Sequence, residues 1–286
     1  MVTLVDYASP VEIAWCPGCG NFGILTALKK ALVETDISPQ ELLIVSGIGQ
    51  APKLPHYMKC HVLNGLHGRA IPAATGAKMA NHRLKVLVID GDGGAYGEGA
   101  NHWLAAMRRN VDLTYLAHNN QVYGLTKGQA SPTSELGFIS KTTPLGAGQP
   151  MNPLTVAVAS DASFLARGFA GDTEELTKLI KAGITHPGFA HIDILQPCVS
   201  FNHVNTYEWY KKRIYKAETN KNYNPVDKIA AFALAEEWGE YIPTGIIYQQ
   251  ARPVYEDGLP MLQKGPLVSA DLSPGQYEKL FDKYLV

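Results

Sequence analysis

Cysteine is scarce in this chain: 286 residues hold four, Cys16, Cys19, Cys60 and Cys198. So few thiols cannot staple a fold of this size, which excludes a disulfide scaffold and leaves metal binding or redox chemistry as their use. An excess of one charge is lacking too. With 25 Lys and Arg against 26 Asp and Glu the net charge is -1. Nothing then draws the chain toward a phosphate backbone or an anionic lipid surface, and neither nucleic acid nor membrane is an expected partner. No apolar run approaches the length of a membrane span, and the start MVTLVDYASPVEIAW has neither the basic opening nor the long apolar middle of a signal peptide. A cytoplasmic location is expected. Repeats and low-complexity segments are missing as well, and the length suits one large domain with an extension.

What is present is an alternation. Phe22, Leu25, Leu28, Ala31 and Leu32 recur at helical spacing from Asn21 to Glu34, and ELLIVSGIG then reads as a buried strand ending in glycines. RAIPAATGAKMANH, KVLVID, EGANHWLAAMRRN and DLTYLAHN repeat the helix-strand pair, and a helix from about Thr173 to Gly183 with a strand FAHIDIL continues it. The pattern predicts an α/β fold, a parallel sheet with helices on both faces, because strands so uniformly apolar must be covered on both sides. Beyond about Asn205 the chain is rich in Tyr and Lys, then in Pro and Gly from Pro243 onward. This predicts an α/β domain over residues 1–204, then a helical stretch and an extended arm over 205–286.

Ligands of such sheets sit beyond the carboxyl ends of the strands, which directs attention to the loops after Val45, Asp90 and His118. The second loop, GDGGAYGEG from Gly91 to Gly99, lets the backbone approach a ligand closely, and the helix after it offers free N–H groups to an anion such as a diphosphate. It is neither the dinucleotide nor the P-loop pattern. One strand-helix-strand unit later comes HNNQVYG, so Asp92 and Asn120 fall at strand ends that can be neighbours. A hard Mg²⁺ prefers oxygen ligands of this kind. The pair resembles the thiamine diphosphate motif, GDG followed at this distance by two asparagines, here Asn119 and Asn120. The resemblance implies Asp92 and Asn120 as Mg²⁺ ligands through their side chains and Val122 through its carbonyl.

Cys16 and Cys19 stand in WCPGCGNFG, a spacing shared by zinc knuckles, thioredoxin-like redox pairs and iron-sulfur sites. The nine histidines show no ligand pair at zinc spacing, which disfavours zinc. WCPGCG, SGIG, LHGRAIPAATG, GDGG, NNQVYGLTKGQASPTS and ILQPCVSFN together resemble the β subunit of 2-oxoacid:ferredoxin oxidoreductases, from about Trp15 to Arg213. The resemblance implies oxidative decarboxylation of a 2-oxoacid, of the pyruvate or 2-oxoglutarate type, with coenzyme A to acyl-CoA and CO2. Electrons would pass through an iron-sulfur cluster to ferredoxin. It implies further that the glutamate activating the cofactor lies on a partner α subunit, and that Ile48, Gly49, Gln50, Ala51, His67, Gly68, Arg69, Gly93, Gly94, Gly124 and Leu125 contact thiamine diphosphate. For His67 and Arg69 a helix-start role is the plainer alternative, and Lys53 and Lys127 are as well read as solvated lysines as substrate contacts.

In that family four cysteines hold one [4Fe-4S] cluster, and Cys16, Cys19 and Cys198 match three of them. The fourth, at the end of a GIGC loop, is replaced here by Gln50 in SGIGQ. Open alternatives are a cluster with three thiolates and a hard or solvent ligand, a three-iron cluster, recruitment of Cys60, or no cluster. Two other functions remain in view: a non-redox thiamine decarboxylase or carboligase subunit, and an electron carrier without thiamine chemistry.

Overall fold

The computed structural model describes residues 1–270, 281 and 284. Its centre is an eight-stranded sheet. The strands are β1 (Leu42–Ser46), β2 (His61–Asn64), β3 (Lys85–Gly91), β4 (Thr114–Asn119), β7 (Phe164–Phe169), β8 (Ala190–Leu195), β9 (Ile214–Lys216) and β10 (Ile242–Gln249), with β5 (Val122–Tyr123) and β6 (Gln129–Ala130) forming a separate hairpin. The order across the sheet is β2-β1-β3-β4-β8-β7-β10-β9. Neighbours from β2 through β7 are parallel, β10 runs antiparallel to β7, and β9 is parallel to β10.

Alternation along the strands builds two cores. Val86 and Val88 of β3 and Tyr115 and Ala117 of β4 face one layer, formed by α2 (Ala70–Ala80), α3 (Ala100–Arg109), α4 (Pro153–Ala159) and α7 (Lys228–Glu236). Leu87, Ile89 and Leu116 face the other, formed by α1 (Asn21–Glu34) and α5 (Thr173–Thr185). This is the expected α/β sheet with helices on both faces. No helix among the described residues is long and apolar enough to cross a membrane.

Two departures from the sequence reading are informative. Strand β7 has no counterpart in the apolar pattern, because FLARGF carries Arg167 inside the sheet; the guanidinium is buried 3.5 Å from the Asp193 carboxylate on β8 and lies over the Trp238 ring. Among the described residues beyond 205 the chain is not an arm separate from the α/β domain, and the end of the expected arm, from 271 onward apart from 281 and 284, lies outside the described residues. After a short helix α6 (Tyr207–Lys211), β9 and β10 add to the sheet through β7. Pro243 and Gly245 disguise β10, yet Ile242 and Ile247 are fully buried.

His118 on β4 and His191 on β8 have no exposed surface, and burial pushes both imidazoles down to about 3. His118 Nδ1 lies 2.8 Å from Asn21 Oδ1 at the start of α1. The unfolded chain takes up a proton on each near pH 6.5 while the native state does not, so the stability present above that pH is lost as pH falls toward 3. Replacing His118 with Gln should therefore cost stability at pH 7, and that cost should shrink by about 2–3 kcal/mol by pH 4.5. Urea denaturation of both proteins at the two pH values checks it; a gap independent of pH would mean that His118 titrates alike in the native and unfolded states.

Candidate functional site

Parallel strands deliver their carboxyl ends to one edge of the sheet. Ser46 of β1 is in register with Ile89 of β3, and Gly91 of β3 with His118 of β4, so the loops that follow leave side by side. Ile48, Gly49, Gln50 and Ala51 from the first loop, Asp92, Gly93 and Gly94 from the second, and Asn120, Val122, Gly124 and Leu125 from the third line one cleft of about 490 Å³, with His67. Gly68 and Arg69 do not line it. Gly68 adopts φ +69 and packs so close that a Cβ would meet the Glu98 backbone at 2.6 Å, while Arg69 Nη1 turns to His102 Nε2 at 2.8 Å.

At Gly93 and Gly94 the cleft has little room for side chains. A Cβ on Gly93 would lie 2.1 Å from the Tyr123 ring, and one on Gly94 would lie 3.0 Å from Asp90 Oδ1. Asp92 caps a π-helical turn, Gly93–Glu98, a rare geometry that concentrates at functional sites. Its carboxylate is 2 % exposed, and burial pushes it up to about 6 against the hydroxyls of Ser131 and Thr133 and the Gly93 N–H. Both hydroxyls donate to Oδ2, Thr133 at 2.8 Å. Asn120 Oδ1 accepts the Val122 N–H at 3.1 Å, and that turn sets Asn120 and Val122 on the cleft wall together. A buried carboxylate with one oxygen already bonded, beside an amide oxygen and a backbone carbonyl, suits a hard cation, and the adjacent glycine turn suits an anion carried with it.

A second cleft of about 370 Å³ adjoins the first and is lined by Cys16, Cys19 and Cys198 together with Trp15, Gln50 and Gln196. Gln50 and Asn120 line both. The Gln50 carbonyl accepts the Trp15 indole N–H at 2.9 Å, and its side-chain Oε1 is buried without a partner. Two thiols have donors: Ser200 Oγ at 3.0 Å from Cys16 Sγ, and Gln196 Nε2 at 3.4 Å from Cys19 Sγ. Burial pushes the Cys19 thiol up to about 11. Cys60 belongs elsewhere. It precedes β2, and His61 pairs with Leu43 near the amino end of β1, so Cys60 sits at the opposite end of the sheet from the cysteine cleft. Burial alone pushes its thiol up to about 12. Among the described residues no three His, Cys, Asp or Glu side chains converge on one point as a single-ion site requires.

Ser131, Thr133, Gln196 and Ser200 are contributors that the sequence reading does not single out. The first two lie in QASPTS, Gln196 opens the QPC segment and Ser200 lies two residues beyond it, within motifs read for their glycines and cysteines alone.

Two family patterns divide the chain. The pattern described as thiamine pyrophosphate enzyme, C-terminal TPP binding domain, matches residues 47–194. The pattern for the C-terminal part of the pyruvate ferredoxin oxidoreductase beta subunit matches residues 198–264. The β subunit of 2-oxoacid:ferredoxin oxidoreductase 1 of Aeropyrum pernix is 41% identical, covering 99% of this chain and 97% of that protein. The β subunit of a Sulfolobus 2-oxoacid:ferredoxin oxidoreductase is 47% identical, covering 85% and 84%. Among solved structures, the 2-oxoglutarate:ferredoxin oxidoreductase from Magnetococcus marinus, with 2-oxoglutarate, coenzyme A and succinyl-CoA bound, superposes with a TM-score of 0.89 at 35% identity, covering 98% of this chain and 96% of that one.

Asp92→Ala removes a carboxylate from the cleft floor while sparing both cores. Thiamine diphosphate binding, measured by calorimetry with Mg²⁺ present, should weaken by more than about 100-fold, and the melting temperature without ligand should not fall. Retention of stoichiometric cofactor would mean that Asp92 plays no part in holding it.

Proposed function

The chain belongs to the family of 2-oxoacid:ferredoxin oxidoreductase β subunits, and on that premise we propose that it carries the thiamine diphosphate, Mg²⁺ and iron-sulfur half of a heterodimeric enzyme. That enzyme converts a 2-oxoacid, of the pyruvate or 2-oxoglutarate type, with coenzyme A into acyl-CoA and CO2 and passes the electrons to ferredoxin. The observation that carries the reading is a single cleft that gathers Asp92, Asn120 and Val122 with two glycine loops and shares Gln50 with the cysteine cleft beside it.

When bound, thiamine diphosphate supplies the carbanion that adds to a keto carbon and the electron sink for loss of CO2. The chain's own residues bind and orient. Asp92, Asn120 and the Val122 carbonyl would hold Mg²⁺, whose charge would offset that of a diphosphate at the Gly93–Gly94 turn. Cys16, Cys19 and Cys198 would hold the cluster, and Ser200 and Gln196 donate to the sulfurs of Cys16 and Cys19. Ile48 and Leu125, which line the cleft, are 42% and 40% exposed, and Leu66, next to His67 in the chain, is 74% exposed. Such a rim suits burial against an α subunit that brings the missing glutamate.

Two experiments test the reading. The chain alone should show no 2-oxoacid-dependent reduction of a viologen dye, and adding its α subunit should restore it; turnover by the isolated chain would refute the shared site. For the cluster, glutamine offers a neutral oxygen where a soft thiolate is preferred, so the fourth iron should be weakly held and lost on mild oxidation. Gln50→Cys should raise iron and sulfide per chain and make them resistant to oxidation, whereas Cys60→Ala should leave both unchanged. Iron analysis and electron paramagnetic resonance before and after dithionite read the outcome, and loss of the cluster in Cys60→Ala would put the fourth ligand there.

A further inference from the structure

We infer that Ser131 and Thr133 are positioning residues for the metal: their hydroxyls hold Asp92 Oδ2 so that Oδ1 is presented to Mg²⁺. The hairpin of β5 and β6 makes this possible. Val122 pairs with Ala130, so the residue after the hairpin returns beside the chain that carries Asn120 and Val122. Ser131 Oγ donates to Asp92 Oδ2, and Thr133 Oγ1 lies 2.8 Å from the same oxygen and 2.8 Å from Asn119 Oδ1. Neither hydroxyl is free to wander. Ser131 is 9% exposed and Thr133 3%, the Ser131 N–H donates to Ser134 Oγ at 2.8 Å, and Ser134 Oγ in turn donates to the Gln121 carbonyl.

The geometry does two things for a buried ligand. Two donors on one oxygen restrain the carboxylate, which lines the cleft, and leave the other oxygen free of both hydroxyls, which suits a cation that demands near-ideal octahedral geometry. A charged acceptor also takes the stronger share of a proton, and Thr133 has one proton for two acceptors, Asp92 and Asn119. Asn119 is tied onward, its Nδ2 donating to Asp193 Oδ1 at 3.0 Å. The pair of hydroxyls therefore joins the carboxylate to the buried polar layer under the sheet end, and its loss should be felt as misorientation of Asp92 rather than as loss of a ligand. Outer partners of this kind typically govern metal affinity by about 10–100-fold.

The inference rests on the reading of Asp92 as an Mg²⁺ ligand. Its test is the Mg²⁺ dependence of thiamine diphosphate binding to the complete αβ complex, followed by calorimetry, together with the melting temperature of the cofactor-free complex. Ser131→Ala and Thr133→Val should each weaken Mg²⁺ by about 10-fold or more at an unchanged melting temperature, and Thr133→Ser should restore wild-type affinity because it returns the hydroxyl. Affinity within twofold of wild type in both hydroxyl-free variants overturns the inference, as does a loss that Thr133→Ser shares. Ser131→Ala decides the matter alone if Thr133→Val does not fold: a tenfold loss of Mg²⁺ supports the inference and a change under twofold overturns it. Failure of the underlying metal reading looks different, since Asp92→Ala would then leave the Mg²⁺ dependence intact.

Discussion

A carboxylate taken out of water must be compensated, and much of the candidate site is arranged around that requirement at Asp92. Burial raises the cost of its charge, the hydroxyls of Ser131 and Thr133 recover part of it, and a bound cation would recover the rest. Gly93 and Gly94 follow from the same crowding, because the Tyr123 ring and the Asp90 carboxyl occupy the space that their side chains would need. Asp90 is itself 1% exposed and pushed up to about 7 by burial, so two acidic groups two residues apart lie under one cleft floor. A positive ion above them would satisfy a demand that the fold creates and meets only in part through hydrogen bonds.

The legible part of the fold is the part written in periodicity. Helix α1, with its apolar stripe, ends at the residues expected; β1, β4 and β8 lie within the apolar runs that mark them, and β3 passes its run by one residue. What escapes is where tertiary pairing overrides composition. β7 tolerates Arg167 only because Asp193 and Trp238 receive it from β8 and from beyond residue 205, and neither partner can be inferred from local sequence. β2 is exposed along its whole length and has no apolar signal to read. At the site, glycines and paired asparagines announce the loops, whereas serine and threonine hydroxyls that bond across more than thirty residues leave no periodic trace.

The cysteines show the same divide. C-x-x-C and the QPC cysteine meet at one cleft because α1 begins, and β8 ends, at the same edge of the sheet; the Gly20 N–H bonds to the Pro197 carbonyl at 3.2 Å and holds the two segments together. Gln50 comes to that cleft from the β1 loop, fixed by the Trp15 indole, and so stands beside the three cysteines. Cys60 is ten residues further along the chain but a strand length away in space, a distance that spacing in sequence does not reveal.

The pairing of β10 with β7 sets a condition on how the chain can be made. Emerging from the ribosome, β1 through β8 can assemble in parallel, but one edge of β7 stays open, with unpaired N–H and C=O groups in a row, until β10 arrives much later from the opposite direction. Over that interval the nascent sheet offers a template to any other strand, including the same segment of a neighbouring nascent chain. The antiparallel strand thus serves as a seal, and premature termination ahead of Ile242 would release a product whose sheet ends in a sticky edge.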